Sequence, residues 1–327
     1  MTVGDWGEKR IIRDLIKPLF NPANDLDGVG DDCAILACKG KTLISTDRVP
    51  HDLTAFAHGY IGFSELGRYA ANLNLSDIAA SGGVPVALLL SLALPPTMFI
   101  ADLHEFCTGF LEGAQNGGAK VIGGDITDAS SFSATITAIG ETGELQPIRR
   151  ATAMPGDLIF VTRDIGLSPA ALAMARGKRI AAMLTPAECA LLAGQFRLDA
   201  MVGTARMLAG SGVVTACMDN TDGVGNCLAE LSDASSVCFI VERASVDVHP
   251  LALKIAQLLD QDPVEFAFSG GADFSLIGTC STLPSDAALL RTIRIIGRVE
   301  RGSGVELEES GQRTVLRYRG WNYFQQQ

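Results

Sequence analysis

Five short acidic motifs stand where apolar segments of this chain end or turn, and they constrain its fold more than any other feature. They are Gly30-Asp31-Asp32, Ser45-Thr46-Asp47, Asn74-Leu75-Ser76-Asp77, Gly123-Gly124-Asp125 and Asp219-Asn220-Thr221-Asp222-Gly223. Carboxylates at strand ends can converge on one crevice of an α/β sheet. Converging aspartates repel one another unless a cation sits between them. Ligand sets made only of oxygen suit Mg²⁺, which keeps several waters and bridges to substrate phosphates. The pattern predicts a magnesium-dependent, ATP-using enzyme.

A chain of 327 residues predicts two domains, at roughly 100–200 residues each. With 47% hydrophobic and 19% charged residues it can bury a sizeable core and is not disordered. The formal charge of −11 argues against a nucleic-acid partner, because no basic patch is present to neutralise phosphates. Some of the surplus acids would be consumed by bound cations, and the others keep the surface charged. The eight cysteines include no close C-x-x-C pair, which argues against zinc. Most lie in apolar runs such as Val237-Cys238-Phe239 and read as small buried hydrophobes in a reducing compartment. Met1 to Arg10 is polar and charged, unlike a signal peptide, and the longest apolar run, Val84 to Pro96, is too short to span a bilayer. The expected location is the cytoplasm, with no membrane association.

Apolar residues recur at helical spacing over residues 7 to 20, 63 to 80 and 99 to 117, and these segments are expected to be helices. Strands are expected at Cys33 to Cys38, Thr42 to Thr46, Val84 to Leu94, Val121-Ile122 and Ser133 to Ile139. Pro147 to Pro155 reads as a linker, so the domains are placed at 1–147 and 148–327. Beyond it, strands are expected at Leu158 to Thr162, Val213 to Met218, Val237 to Val241, Phe274 to Thr279, Arg294 to Val299 and Thr314 to Tyr318, with helices between them. The alternation predicts two α/β or α+β domains.

Each motif has a chemical and a plain structural reading. The glycines before Asp31 and Asp32 let backbone approach a phosphate, yet Gly-Asp-Asp is also ordinary turn composition. Ser45, Thr46 and Asp47 are hard oxygen donors at a strand end, where an aspartate can equally cap the next turn. Asn72 and Ser76 share one helix face, and Asn74 and Asp77 another; such residues are poor in helix interiors, so their presence points to a compensating role or to an end cap. Gly123 and Gly124 stop a short strand before Asp125. Asp219 and Asp222 bracket a turn between a strand and a helix starting near Val224, which offers helix N–H groups to an anion. No P-loop is present, and no nucleophile–base pair can be assembled. Trp321, one of two tryptophans, could stack on a heterocycle or pack over the core.

In order and wording these motifs resemble the thiamine-monophosphate kinase family of the AIR synthase-like superfamily. The resemblance spans Val29-Gly30-Asp31-Asp32-Cys33-Ala34, Ser45-Thr46-Asp47, Asn74 to Ala80, Gly123-Gly124-Asp125, Pro155-Gly156-Asp157, Asp219 to Gly223, Ser269-Gly270-Gly271-Ala272-Asp273-Phe274 and Gly320-Trp321. Sister families fit less well: the dehydratases of hydrogenase maturation end in a reactive cysteine, whereas this chain ends in three glutamines. The selenophosphate synthetases place a cysteine near the N-terminus, and here the first is Cys33. The resemblance implies an N-terminal mixed-sheet domain that pairs across a homodimer and a C-terminal α/β domain. It implies ATP as co-substrate and several Mg²⁺ ions, held by Asp32, Ser45, Thr46, Asp47, Asp77, Asp125, Asp219 and Asp222. Gly124, Asp125, Arg150 and Thr221 would contact the nucleotide, and Trp321 the substrate.

Three departures touch the acceptor. Thr54 stands about where the family has a histidine, Ala272 replaces a glutamate, and a Pro-x-Pro-Arg motif is absent near Gln195 to Val202. The expected reaction is phosphoryl transfer from ATP to thiamine monophosphate. The alternatives are a kinase or ligase of the same fold acting on another small phosphorylated metabolite, or a non-catalytic nucleotide-binding relative.

Overall fold

The structure is a computed structural model that describes residues 1–21, 36–50 and 53–317. Asp31, Asp32 and Trp321 lie outside the described residues, as does most of the strand expected at Cys33 to Cys38; Leu36 to Cys38 are irregular. The chain divides into two units, Met1–Ala79 with Gly83–Gln146, and Ala80–Gly82 with Pro147–Gln327.

In the first unit the N-terminal segment is helical from Glu8 to Phe20, with Ile12–Ile16 wound as a π turn. There follow β1 (Thr42–Arg48), α1 (Phe63–Ala80), β2 (Val84–Leu94), α2 (Ile100–Asn116), β3 (Lys120–Asp128) and β4 (Ser133–Glu141). They form a four-stranded sheet of order β1-β4-β2-β3, in which only the β2–β3 pair is parallel. Strict alternation puts Leu88, Leu90 and Leu92 of β2 and Ala134, Ile136 and Ala138 of β4 on one buried face. On α2, Leu103, Phe106, Phe110 and Ala114 form the buried stripe, and the Phe106 and Phe132 rings meet edge-on at 5.0 Å. Helices α1 and α2 cross in close contact: a β-carbon at Gly109 would stand 1.8 Å from the Ser64 carbonyl oxygen.

One expectation is corrected. Gly123-Gly124-Asp125 does not stop a short strand; β3 runs through it to Asp128. The long strand β2 is the template, pairing in parallel from Ala87↔Lys120 to Leu94↔Asp128, and a bulge at Ile122 absorbs the change of register.

The second unit holds a seven-stranded sheet of order β11-β10-β7-β9-β5-β8-β6. Its strands are β5 (Leu158–Val161), β6 (Val214–Asp219), β7 (Cys238–Glu242), β8 (Leu276–Cys280), β9 (Arg294–Glu300), β10 (Gly304–Glu309) and β11 (Gln312–Val315). The helices of five or more residues are α3 (Leu167–Arg176), α4 (Pro186–Gly194), α5 (Val202–Ser211), α6 (Val224–Ser235), α7 (Pro250–Leu258), α8 (Pro263–Ala267) and α9 (Ala287–Thr292). Strands β7 and β8 are buried along almost their whole length, as expected where both faces of a sheet are covered. Strand β10 was not anticipated, although Val305 and Leu307 alternate with Glu306 and Glu308 and are buried. Its acids meet arginines: Arg298 bonds Glu242, Glu300 and Glu308 at 2.7–3.0 Å, and Arg313 bonds Glu300 and Glu308 at 3.0 Å. Among the described residues no helix is long and apolar enough to cross a membrane.

Two outcomes follow from this packing. Gly109→Ala forces α1 and α2 apart and should cost about 3 kcal/mol in urea denaturation, as overpacking a tight contact does; an unchanged midpoint would disprove the close crossing. Glu188 completes a capping box with Thr185 at the start of α4 and takes Lys254 Nζ at 2.8 Å. The Lys254 hydrogen bond first, then Thr185, lower its pKa from the ordinary 4.5 to about 2. That stabilisation is full above pH 4.5 and is lost as the pH falls toward about 2. Glu188→Gln should therefore melt lower than wild type at pH 7, with the difference closing on acidification.

Candidate active site

In the first unit the Ser45 hydroxyl, on β1, donates to the Asp77 carboxylate in the last turn of α1 at 2.5 Å. Asp47 follows two residues later on the same sheet face and is exposed. Across the sheet, Asp47 is in register with Ile136, Leu90 and Gly124. Asp125 is in register instead with Ser91 and Thr135, the row of Arg48. Period-two alternation therefore sends Asp47 and Asp125 to opposite faces. Thr46 also points away from Ser45: its hydroxyl donates to the Ile136 carbonyl at 2.9 Å and meets the Thr137 hydroxyl at 3.1 Å. At Gly124 a β-carbon would stand 1.9 Å from the Leu90 carbonyl oxygen, so strand pairing alone demands glycine there.

The polar residues of α1 lie within the helix rather than capping its end. Asn72, Asn74 and Ser76 are all buried. Asn72 Nδ2 bonds back to the Arg68 carbonyl at 3.0 Å. Asn74 is fully buried, and among the described residues neither atom of its amide has a hydrogen-bond partner. It lies on the helix face of Asp77, so an oxygen donor with unused capacity stands beside the Ser45–Asp77 pair. A donor set of hydroxyl, amide and carboxylate oxygens fits a hard divalent cation.

In the second unit β6 delivers Asp219 at its last position, 2% exposed, followed by Asn220 at 1%. Asp222 is exposed, and α6 starts two residues later. The turn is sewn to the segment before β8. Asn220 N–H donates to the Ser275 carbonyl at 2.8 Å, Ala272 N–H to the Thr221 carbonyl at 2.9 Å and Gly225 N–H to the Phe268 carbonyl at 3.0 Å. Asn220 Nδ2 donates to Asp273 Oδ1 at 3.0 Å, while Asn220 Oδ1 accepts Gly223 N–H at 3.0 Å. The Ser168 hydroxyl of α3 donates to the Gly271 carbonyl. Two non-glycine residues flanking Asp273 hold left-handed backbone, Ala272 at φ 60° and Phe274 at φ 52°. Such geometry costs of order 1–3 kcal/mol per residue and persists only where surrounding structure enforces it.

Burial pushes the Asp273 carboxyl up, against the opposing pull of Ser275, Arg163 and Asn220. Burial also pulls the Arg163 guanidinium down, with Asp273 and Asp199 opposing. Both line a cavity of about 10 Å³, the size of a single water, with Asn220 and Ser275. The Cys227 thiol donates to the Asp219 carbonyl at 3.4 Å, and burial raises its pKa, so it remains the inert thiol its apolar setting predicted. Arg150 is exposed, 3.9 Å from Glu230, and its carbonyl is held by the Ser235 hydroxyl at 2.9 Å. Asp157 serves the fold: it accepts Met154 N–H and the Thr215 hydroxyl.

Sequence reasoning quoted Asp273 only within a motif and gave it no role; its bond to Asn220 crosses more than fifty positions and leaves no local trace. Among the described residues no three His, Cys, Asp or Glu side chains gather closely enough to hold a metal ion by themselves. The structure thus brings together Ser45 with Asp77 in one unit and Asp219, Thr221 and Asp222 on one anchored turn in the other. Thr46 and Asp125 face away from the first pair.

A family profile described as AIR synthase related protein, N-terminal domain, matches residues 30–142. The thiamine-monophosphate kinase of Bacillus subtilis (strain 168) is 30% identical over 313 residues, covering 91% of this chain and 93% of the relative. That of Pyrococcus abyssi (strain GE5 / Orsay) is 29% identical and covers 93% of both. Among solved structures, AaThiL complexed with AMPPCP and TMP superposes with a TM-score of 0.74 at 26% identity over 99% of each chain. The hydrogenase maturation protein HypE of E. coli superposes at 0.71 with 20% identity over 94% of this chain and 96% of its own, a likeness of fold alone.

A β-carbon at Gly271 would stand 2.0 Å from the Thr221 carbonyl oxygen. Gly271→Ala should part the turn from its support, cost about 2–3 kcal/mol of stability and weaken ATP binding in calorimetric titration. Unchanged melting and ATP affinity would show that the two segments are not so closely joined.

Proposed function

The chain belongs to the thiamine-monophosphate kinase family, and from that premise we propose that it transfers the γ-phosphoryl group of ATP to thiamine monophosphate, giving thiamine diphosphate and ADP. The observation that carries the residue assignment is the anchored turn Asp219–Gly223, whose buried and exposed acids lie at the N-terminal end of a twelve-residue helix. A helix N-terminus and oxygen donors together suit a metal-bound triphosphate.

Transfer between phosphates needs positioning and charge neutralisation rather than a covalent nucleophile. A phosphate oxygen of thiamine monophosphate forms the new bond to γ-phosphorus, the bond from γ-phosphorus to the β–γ bridging oxygen breaks, and ADP leaves. No residue is itself phosphorylated. Bound Mg²⁺ would supply charge neutralisation across the two phosphate groups and orient their oxygens. Ser45, Asp47 and Asp77 would hold it on one sheet face, Asp125 and Thr46 would serve a separate ion on the other, and Asp219 and Asp222 would hold ions from the second unit, with Asp32 completing the set. Two faces of one sheet cannot share an ion, which favours several. Gly124 and Thr221 would lie along the nucleotide, Arg150 would offset its charge, and Trp321 would contact the acceptor. The exposed face of the first sheet, where Ile44 is 70% exposed, suits pairing with a second copy. Seven free cysteines among the described residues suit a reducing cytoplasm.

Ala272 and Thr54 are the observations that favour a different phosphorylated acceptor. An ADP-release assay with thiamine monophosphate against a panel of phosphorylated metabolites separates the readings. ADP and thiamine diphosphate should form only with thiamine monophosphate; faster turnover of another metabolite would overturn the acceptor. Asp47→Asn should lower kcat by about 100-fold or more, as loss of a metal ligand does, with an unchanged circular dichroism spectrum. Full activity in that variant would remove Asp47 from the metal set.

A further inference from the structure

We propose that Asp273 is a positioning residue: through Asn220 it sets the conformation of the Asp219–Asp222 turn and so the aim of both carboxylates. The proposal rests on reading that turn as a metal and nucleotide site, and it adds a residue from outside the turn on which the site depends.

The geometry is a two-step relay. Asp273 Oδ1 accepts Asn220 Nδ2–H at 3.0 Å and Ser275 N–H at 2.8 Å. Asn220 Oδ1 accepts Gly223 N–H at 3.0 Å. An asparagine amide has a donor end and an acceptor end, so the carboxylate, which only accepts, selects which way it faces. With the amino end turned to Asp273, the carbonyl end is left to close the turn on Gly223. The reverse orientation would set oxygen against oxygen at Asp273 and nitrogen against N–H at Gly223. Asn220 lies between Asp219 and Thr221, and the bond it closes spans Asp222.

The backbone around Asp273 is costly, and it carries two buried side chains at once, Phe274 in the core and Asp273 beside the acidic turn. Ala272 and Phe274 both hold left-handed φ, and the kink between them aims the Asp273 side chain at Asn220. The ladder into β8 is secured separately: Leu276 N–H donates to the Thr162 hydroxyl at 2.8 Å, and Asn220 N–H to the Ser275 carbonyl at 2.8 Å. Asp273 is 8% exposed, with Arg163 as the cation that faces it. Its hydrogen bonds with Ser275 secure its own loop, and the one with Asn220 secures the acidic turn.

The test uses the full chain as wild type, Asp273→Leu, Asp273→Asn, Asn220→Ala and the Asn220→Ala/Asp273→Leu double variant. Hydrogen–deuterium exchange is read over residues 219–225, and Mn²⁺ affinity by electron paramagnetic resonance. In D273L, protection of the turn and Mn²⁺ affinity should each fall about tenfold, the loss of roughly one hydrogen bond, while β7 and β9 exchange as in wild type. D273N keeps an oxygen acceptor and should stay within about threefold of wild type in both readouts, because the acceptor rather than bulk is what matters. N220A should match D273L, and the double variant should be no worse than either, since both break one relay. Wild-type exchange in folded D273L, or losses that multiply in the double variant, overturns the proposal. Should D273L fail to fold, unchanged exchange in N220A overturns it equally. Wild-type protein that binds no Mn²⁺ defeats the metal reading, whereas wild-type exchange in D273L defeats only the role of Asp273.

Discussion

The hydrogen-bonded seam between the Asp219–Gly223 turn and residues 268–275 is the constraint on which the order of the acidic turn in the second unit depends. It continues the β6–β8 ladder, whose last register pair is Asp219↔Leu276, beyond the point where both strands end. Three backbone bonds and one side-chain bond hold two loops that would otherwise be free to move independently. The seam makes a strand end and a helix start into one rigid corner, so buried Asp219 and exposed Asp222 keep a set relation to the first turn of α6. It also sustains the left-handed backbone at Ala272 and Phe274, which an isolated loop would relax.

The acidic surplus sorts by environment. Glu242, Glu300 and Glu308 are neutralised by Arg298 of β9 and Arg313 of β11. Asp262 and Asp286 accept the first N–H groups of α8 and α9, and Glu188 caps α4. Asp157 ties a turn to Thr215. These acids have partners supplied by the fold. Asp47 and Asp125 are exposed on opposite faces of the first sheet, and Asp219 and Asp222 stand at a helix N-terminus, where an anion or its counter-ion belongs. A net charge of −11 therefore mixes acids paired within the fold with acids at exposed or helix-end positions, which composition alone cannot separate.

Much of the fold was legible from short-range pattern. Helix α1 spans Phe63–Ala80 and strand β2 spans Val84–Leu94, as their periods predicted, because each buries a face whose spacing is written locally. The strand-turn-helix around Asp219 was legible for the same reason. Strand β10 was not anticipated: its alternation is short and rich in glutamate, and the arginines of β9 and β11 that pair with those acids are brought opposite them only by the fold. Nor was the run of β3 through its glycines, which depends on the longer neighbour β2. Reading Ser45, Thr46 and Asp47 as one donor group failed on a rule the sequence also contains: neighbouring residues of a strand face opposite ways.

By itself the sequence determined the kinship of the chain and the bounds of its strongly periodic elements, such as α1 and β2, since these reside in local spacing and in the run of motifs along the chain. Tertiary structure alone decided which acids share a face, that Asn74 is buried, and that Asp273 takes hold of Asn220. Such relations join residues distant in the chain through strand register and hydrogen bonds, and a contact of that kind has no periodicity to betray it.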